Sequence, residues 1–275
     1  MKQLRDRVAV VTGAGSGIGR ALAHALEREG CHLALVDVHA ARLGEVEAEL
    51  ADSDRRVTTH VVDVADRAAM QALPARVVAD HGAVHIVVNN AGVTIGGEIE
   101  SQSLEDLDWI VGINFWGVLY GCKFFTPILK QQDEAHIVNL SSLFGLVGLP
   151  EQGAYCATKA AVRSLSETLA AELADTSVRV TSVHPGGVRT NIVADARMEA
   201  GEERDRLVTF FENIRVGPDQ AAERIVQAIR REKPRLRICV ETYVSDWLRR
   251  LAPVSTSRLI NALSRREKRK RALAG

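Results

Sequence analysis

Short apolar runs rich in β-branched residues alternate with longer amphipathic segments along most of the chain. Seven such runs predict strands, over residues 7–13, 32–38, 56–64, 84–92, 135–142, 178–186 and 235–240. Several of these runs are apolar at nearly every position, which is typical of strands covered on both faces in a parallel sheet. Helical spacing of apolar residues predicts helices between them, over residues 17–30, 40–52, 66–82, 103–132, 153–174 and 218–232.

This alternation predicts an α/β fold in which a doubly wound parallel sheet of about seven strands lies between two helical layers. Within the helices, we expect Pro74 to kink or split the segment 66–82, because proline removes a backbone hydrogen bond. The sequence has no internal repeat and no linker. We therefore predict one domain over residues 1–240, followed by a helical extension over residues 241–275.

Composition and charge narrow the class of protein. The chain has 275 residues, of which 46% are hydrophobic, and its formal net charge of zero gives no reason to expect nucleic-acid binding across the whole surface. Its cysteines are scattered without a CxxC pair or a metal-ligand spacing, so we expect reduced thiols, a cytoplasmic setting and no metal. The first apolar run is too short for a signal peptide, and no run reaches the roughly 18 residues of a membrane span.

The C-terminal extension is strongly basic. Residues 249–275 contain one acidic residue, Glu267, and nine basic ones: Arg249, Arg250, Arg258, Arg265, Arg266, Lys268, Arg269, Lys270 and Arg271. The segment therefore carries a net charge of +8, and the preceding residues carry −8. One interpretation is a helix packed on the domain or on a partner subunit, followed by a solvated tail. A second is peripheral attachment to an anionic membrane surface. A third, nucleic-acid binding by the tail, is disfavoured because no aromatic residues interleave with the basic run.

A glycine-rich turn, "VVTGAGSGIGRALA" (10–23), joins the first predicted strand to the first predicted helix. Its glycines allow a tight turn and a close approach of backbone amides to a pyrophosphate, which the helix N-terminus also attracts. Asp37 ends the second predicted strand, where a carboxylate accepts hydrogen bonds from the adenosine ribose and repels a 2′-phosphate. We therefore predict NAD as the cofactor, and His39 and Arg42 leave NADP open as the alternative.

A tyrosine and a lysine four residues apart stand in "AYCATKAAV" (154–162), a run otherwise made mostly of small residues. Residues four apart lie on the same face of a helix, so Lys159 is expected beside Tyr155. A neighbouring positive charge favours the phenolate and lowers the pKa of a tyrosine, whose ordinary value is about 10. The pair therefore predicts a general base.

With these features in hand, the sequence resembles the short-chain dehydrogenase/reductase family, whose members have a Rossmann fold. The resemblance rests on five motifs in the family's order, which cover roughly residues 5–240: the glycine turn, "NNAG" (89–92), "NLSS" (139–142), "YCATK" (155–159) and "HPGGVRT" (184–190). It implies an enzyme that binds NAD or NADP and forms dimers or tetramers.

The resemblance also implies which residues hold the cofactor. In the family's pattern the pyrophosphate lies against Gly13, Ser16, Ile18 and Gly19. The adenine half contacts Asp63 and Val64, with Asn90, Ala91 and Gly92 beside its ribose. The nicotinamide half contacts Pro185, Gly186, Val188 and Thr190.

The catalytic residues implied by the resemblance are Asn114, Ser142, Tyr155 and Lys159. Ser142 precedes Tyr155 by 13 residues, the family's spacing, whereas Ser141 is one residue off and is expected to point elsewhere. The Ser142 hydroxyl would hydrogen-bond the substrate oxygen, and the backbone of Asn114 would hold a water that links Lys159 to solvent. Lys159 would also hold the nicotinamide ribose.

We therefore expect an oxidoreductase that transfers a hydride between NAD and a secondary alcohol or ketone, acting as a homodimer or homotetramer. The alternatives are an NADP-linked carbonyl reductase and a non-catalytic NAD-binding regulator on the same fold. The loop 143–152 is largely apolar, and residues 187–217 are expected to form a mobile lid of one or two short helices. Together they favour a hydrophobic substrate.

Overall fold

A computed structural model describes residues 1–190, 192, 196–197 and 216–274. Its strands form one sheet in the order β3-β2-β1-β4-β5-β6-β7, and every neighbouring pair is parallel. The strands are β1 Val8–Thr12, β2 His32–Asp37, β3 Val57–Val61, β4 Ile86–Asn89, β5 Ala135–Leu140, β6 Val178–His184 and β7 Arg235–Arg237. The predicted doubly wound parallel sheet is confirmed, with all seven strands at the expected places.

Helices connect the strands and cover both faces of the sheet. They are α1 Gly17–Arg28, α2 Ala40–Glu49, α3 Arg67–His81, α4 Leu104–Val111, α5 Val118–Leu129, α6 Gly153–Glu172, α7 Pro218–Arg230, α8 Val240–Leu251 and α9 Pro253–Ala274. Among the described residues, no helix is long and apolar enough to cross a membrane.

Two of the predicted helices differ in detail. The expected split at Pro74 is wrong, because α3 continues across it: Met70, Leu73 and Val77 are buried on both sides of the proline and hold the two halves against the sheet. The segment 103–132 is not one regular helix, because a π-helical turn over residues 112–117 joins α4 to α5. Such turns insert an extra residue and occur frequently at functional sites.

The core has one layer on each side of the sheet. One layer packs α1 and α7 against the sheet, with Leu22, Leu26 and Ile225 fully buried. The other packs α3, α5 and α6 against it, with Leu73, Phe125 and Val162 fully buried. The apolar character of the strands on both faces follows from this double coverage.

The strand order reverses between β1 and β4, because β2 and β3 lie on one side of β1 and β4 lies on the other. In open parallel sheets, ligands bind at the carboxyl ends of the strands at such a point. The carboxyl ends of β1, β2, β4, β5 and β6 carry the predicted site motifs. The predicted lid over residues 187–217 lies mostly outside the described residues.

Candidate active site

The glycine turn wraps from the end of β1 into α1. Gly13 and Gly17 have positive φ angles of +63° and +51°, a conformation that other residues rarely adopt. A Cβ on Gly19 would lie 1.9 Å from the Gly13 carbonyl oxygen, so only glycine allows the helix to begin this close to the strand. Ser16 stands before the first turn of α1, where unpaired backbone amides attract anions. Ser16 and Ile18 are both partly exposed here, as a cofactor contact requires.

Asp37 lies at the carboxyl end of β2 with its carboxylate turned toward this turn. One oxygen accepts a hydrogen bond from the Gly15 amide at 2.9 Å, and the other accepts one from the His39 amide at 3.0 Å. The side chain of Arg42 is also close, since a Cβ on Gly15 would meet the Arg42 Cβ at 2.7 Å. A fixed carboxylate at the edge of the turn is suited to accept ribose hydroxyls.

The residues predicted beside the adenine ribose are tied to β1. Thr12 accepts hydrogen bonds from the amides of Asn90 and Ala91 at 2.9 and 3.0 Å, and the Asn90 side chain donates to the Thr12 carbonyl at 2.8 Å. Gly92 lies deeper, where a Cβ would stand 3.1 Å from Lys159 Nζ. Asn90 thus connects the end of β4 to the glycine turn.

The two residues predicted to contact the adenine follow β3. The Asp63 carboxylate accepts a hydrogen bond from the Ala65 amide at 2.9 Å and holds the chain in a tight turn. Val64 is buried, and Gly117 of the π-helical turn packs directly against it. Val64 is therefore held by the same turn that carries Asn114.

Tyr155 and Lys159 extend from the first half of α6 toward the end of β5. The Tyr155 hydroxyl is hydrogen-bonded to Ser142, and Lys159 Nζ donates to the Leu140 carbonyl at 3.0 Å and lies 5.8 Å from the centre of the tyrosine ring. Lys159 is only 3% exposed. The structure thus brings together three of the four predicted catalytic side chains.

The pKa values differ from the expectation. Burial raises the pKa of Tyr155 to about 12, and the hydrogen bond from Ser142 only partly opposes this. Burial also lowers the pKa of Lys159 to about 8. The prediction of a lowered pKa for Tyr155 beside Lys159 is therefore wrong. Removing the phenol from water raises its pKa by more than the hydrogen bond to Ser142 lowers it.

The two consecutive serines after β5 have different surroundings. Ser141 donates its hydroxyl to the Lys159 carbonyl at 2.8 Å, inside the core. Ser142 accepts a hydrogen bond from the Phe144 amide at 3.1 Å and reaches Tyr155. Ser142 is thus the serine at the tyrosine, and Ser141 secures α6 to the strand end.

Asn114 lies fully buried within the π-helical turn. Its side-chain oxygen accepts from the Val93 amide at 2.8 Å, and its nitrogen donates to the Val93 carbonyl at 2.9 Å and to Thr158 at 3.3 Å. The side chain therefore joins the turn to α6 and to the segment after β4. Its backbone lies in the π-helical turn, whose irregular hydrogen bonding is a common feature of functional sites.

The motif at residues 184–190 follows β6. Val188 is buried, and Thr190 stands beside the glycine turn, because a Cβ on Gly17 would lie 3.3 Å from its side chain. Pro185 contributes its carbonyl to the Leu143 amide at 2.7 Å, which links this loop to the serine loop. The predicted nicotinamide loop therefore meets both the glycine turn and the loop that follows Ser142.

Two residues near the site were not singled out from the sequence. The Glu241 carboxylate accepts from the Gly187 amide at 3.0 Å, and a Cβ on Gly186 would lie 2.4 Å from it. Phe144 packs edge-on against Tyr155, with ring centres 6.2 Å apart. Phe144 falls in the loop expected to line the substrate pocket, whereas no local signal links Glu241 to a loop 54 residues earlier in the chain.

Comparison with known proteins agrees with this geometry. Residues 7–201 match the short chain dehydrogenase family. SadH of Mycobacterium tuberculosis, named as an oxidoreductase, is 39% identical over 266 residues, which cover 95% of this chain and 96% of SadH.

Two solved structures are similar over most of the chain. A short chain dehydrogenase/reductase from Burkholderia phymatum in complex with NAD has 32% identity and a TM-score of 0.85, covering 91% of this chain and 95% of that one. An alcohol dehydrogenase from Thermococcus sibiricus complexed with 5-hydroxy-NADP has 29% identity and a TM-score of 0.72, covering 85% and 94%. Similar proteins thus bind either form of the cofactor. The chain belongs to the short-chain dehydrogenase/reductase family of oxidoreductases.

Proposed function

We propose that the protein is an NAD-dependent dehydrogenase or reductase that interconverts a hydrophobic secondary alcohol and its ketone. The observation that carries the proposal is the hydroxyl pair of Tyr155 and Ser142 with the buried ammonium of Lys159 beneath it, at the carboxyl edge of the sheet. Bound NAD would exchange the hydride with the substrate carbon. The catalytic domain spans residues 1–240, and residues 241–275 are an extension.

Tyr155 and Ser142 have different roles at the substrate oxygen. Tyr155 has a pKa of about 12, so it is protonated near neutral pH and is ready to donate to a ketone oxygen. In the direction of alcohol oxidation, Tyr155 accepts the alcohol proton once its own proton has left. Ser142 hydrogen-bonds the same substrate oxygen and stabilises the charge that develops there.

Lys159 completes the proton path. Its pKa of about 8 lies close to neutral pH, so the ammonium can release and regain a proton during turnover. Asn114 and Lys159 both border Gly92, where a Cβ would stand 3.2 Å from Asn114 Oδ1 and 3.1 Å from Lys159 Nζ. This neighbourhood supports a relay from Lys159 past the π-helical turn to solvent.

The residues of the cofactor site fit a dinucleotide, because the crowded glycines keep the turn open and Asp37 stands at its edge. The carboxylate of Asp37 favours NAD, since it would repel the 2′-phosphate of NADP. Arg42 beside Asp37 is the specific feature that favours NADP as the second candidate. Fluorescence titration with NADH and NADPH distinguishes them: tighter binding of NADPH would contradict our assignment.

The lining of the site supports a hydrophobic substrate. Phe144 offers an aromatic ring against Tyr155, and Leu146 and Val147 are buried in the same loop. An apolar wall beside one pair of hydroxyls suits a substrate with a single polar oxygen on a hydrocarbon frame. A screen of secondary alcohols with NAD, monitored at the NADH absorbance band, identifies the substrate.

A homo-oligomer is part of the proposal. A continuous row of aromatic rings runs from the π-helical turn into α5: Phe115 is tilted against Trp116, and Trp116, Tyr120 and Phe124 are stacked in turn. Trp116 is well exposed. Such an aromatic surface suits a subunit interface. Light scattering of the native protein and of Trp116→Glu tests it. An unchanged mass would exclude this face.

The substitution Tyr155→Phe tests the reaction. Without the phenol, turnover is expected to fall by about 100-fold to 10,000-fold, the usual contribution of a general acid or base, while NADH binding stays within about twofold. Tyr120→Phe removes a hydroxyl from a ring outside the site and serves as the matched control. Full activity in Tyr155→Phe would show that another group transfers the proton.

A further inference from the structure

The helix α8 exposes its apolar face. Its apolar residues recur at helical spacing and form one stripe, which includes Val240 and Leu251, each 77% exposed, and Trp247, 57% exposed. The full stripe is Val240, Tyr243, Val244, Trp247, Leu248 and Leu251. A contiguous apolar patch of this kind marks an interaction surface on a protein.

The polar side of α8 faces the protein and holds this orientation. Asp246 is 4% exposed and accepts hydrogen bonds from Arg237 at 2.9 Å and from Arg250 at 3.0 Å, with Arg235 at 3.5 Å. Thr242, one turn earlier, is fully buried. Rolling the helix to bury its stripe would remove Asp246 from Arg235 and Arg237, which lie on β7. The stripe therefore stays outward.

The next helix extends the same type of surface. Thr256 ties α9 to α8 by donating to the Leu248 and Ala252 carbonyls at 3.0 and 2.8 Å. Val254, Leu259 and Leu263 of α9 are exposed. Four exposed arginines accompany them, at Arg258, Arg265, Arg266 and Arg269.

We propose that the α8 stripe and the exposed residues of α9 form a docking surface for an anionic lipid bilayer. Exposed tryptophan and aliphatic side chains insert at the boundary of head groups and acyl chains, and arginines beside them attract acidic head groups. The sequence after residue 248 carries nine basic residues and one acidic residue. Two copies meeting symmetrically through this surface would bring like charges together, so a second copy fits it less well.

The docking surface lies next to the active site. Glu241, in the first turn of α8, holds the Gly187 amide of the predicted nicotinamide loop at 3.0 Å. Docking would therefore place that end of the site close to the bilayer, where a hydrophobic alcohol or ketone partitions. This last consequence rests on the proposed function, whereas lipid binding does not depend on it.

Vesicle flotation with the full-length chain tests the proposal without an activity readout. We expect stronger binding to vesicles that contain phosphatidylglycerol than to pure phosphatidylcholine, and weaker binding at high salt. Trp247→Glu removes a large apolar group from the stripe and should lower partitioning by about tenfold or more. Neutralising Arg265 and Arg269 to Gln should lower it by about 30-fold, at about fivefold for each charge.

A matched control separates docking from unfolding. Val61 is 55% exposed on β3, close to the exposure of Trp247, so Val61→Glu makes a comparable change elsewhere and should bind vesicles like the native chain. Circular dichroism checks that each variant is folded. Equal flotation of the native chain and folded Trp247→Glu would overturn the proposal, as would equal binding to both lipids. A loss of oligomeric mass in Trp247→Glu with unchanged flotation would assign the surface to a second copy.

Discussion

The buried amine of Lys159 should lower the free energy of unfolding near pH 7, and its replacement by methionine should raise it. The pKa of this amine falls from its ordinary value of 10.5 to about 8 because burial disfavours the ammonium. At about 1.4 kcal/mol per pH unit, keeping it protonated near pH 7 costs about 3 kcal/mol. Lys159→Met removes that cost but also the hydrogen bond to the Leu140 carbonyl, worth about 1 kcal/mol. The variant should therefore be more stable by about 2 kcal/mol near pH 7.

The sign of this difference changes with pH. Between about pH 8 and pH 10.5 the unfolded chain binds the lysine proton and the folded chain does not, so the stability of the native protein rises with pH. Lys159→Met lacks this rise. The stability advantage of Lys159→Met over the native protein should vanish over that range. It should become a deficit of about 1 kcal/mol, because the variant lacks the hydrogen bond to the Leu140 carbonyl.

Urea unfolding of the native protein and Lys159→Met at several pH values measures this difference. Lys130→Met, which changes an exposed lysine at the end of α5, serves as the control and should differ from the native chain by less than about 1 kcal/mol at every pH. Turnover of Lys159→Met should be lost even though the protein is more stable. A variant that is less stable near pH 7, or a difference that does not change with pH, would refute the reasoning.

Three further outcomes are expected. Asp37→Ala should weaken NADH binding about tenfold and bring the dissociation constants of NADH and NADPH closer together in fluorescence titration. An unchanged ratio of the two constants would show that Asp37 does not select the cofactor. Gly121→Ala should lower the free energy of unfolding by about 1–3 kcal/mol in urea, because its Cβ would lie 1.9 Å from Asn89 Oδ1. His136 is buried with a pKa of about 3, so the unfolded chain takes up its proton first as pH falls below about 6.5, and stability should fall by up to about 1.4 kcal/mol per pH unit. In urea unfolding at several pH values, the free energy of unfolding of His136→Asn should fall less steeply with decreasing pH than that of the native protein. An equal slope would show that His136 does not cause this pH dependence.

The candidate catalytic pair shows how much of a site can be predicted from local sequence pattern. The four-residue spacing of Tyr155 and Lys159 predicts that they share one face of a helix, and both extend from α6 toward the strand ends. Their pKa values could not be predicted in the same way. The shift to about 12 for Tyr155 comes from burial, which depends on the elements packed around the phenol and not on its neighbours in sequence.

Contacts between residues that are far apart in the sequence could not be predicted from local pattern either. Glu241 meets the loop at residues 186–187 only because β7 lies beside β6 and brings the start of α8 to that edge of the sheet. The α8 pattern predicts an amphipathic helix, but the apolar side could equally have packed inward. The bonds of Asp246 to Arg235 and Arg237 of β7 decide that it faces outward.

The sequence by itself determined the order of strands and helices along the chain, the glycine turn and the spacing of the candidate catalytic residues, because each depends on short-range backbone geometry and periodicity. Only the tertiary structure decided that burial dominates the pKa values of the site and that an apolar helix face is left exposed. These properties depend on which distant segments exclude water from a side chain, and that is settled when the whole chain packs.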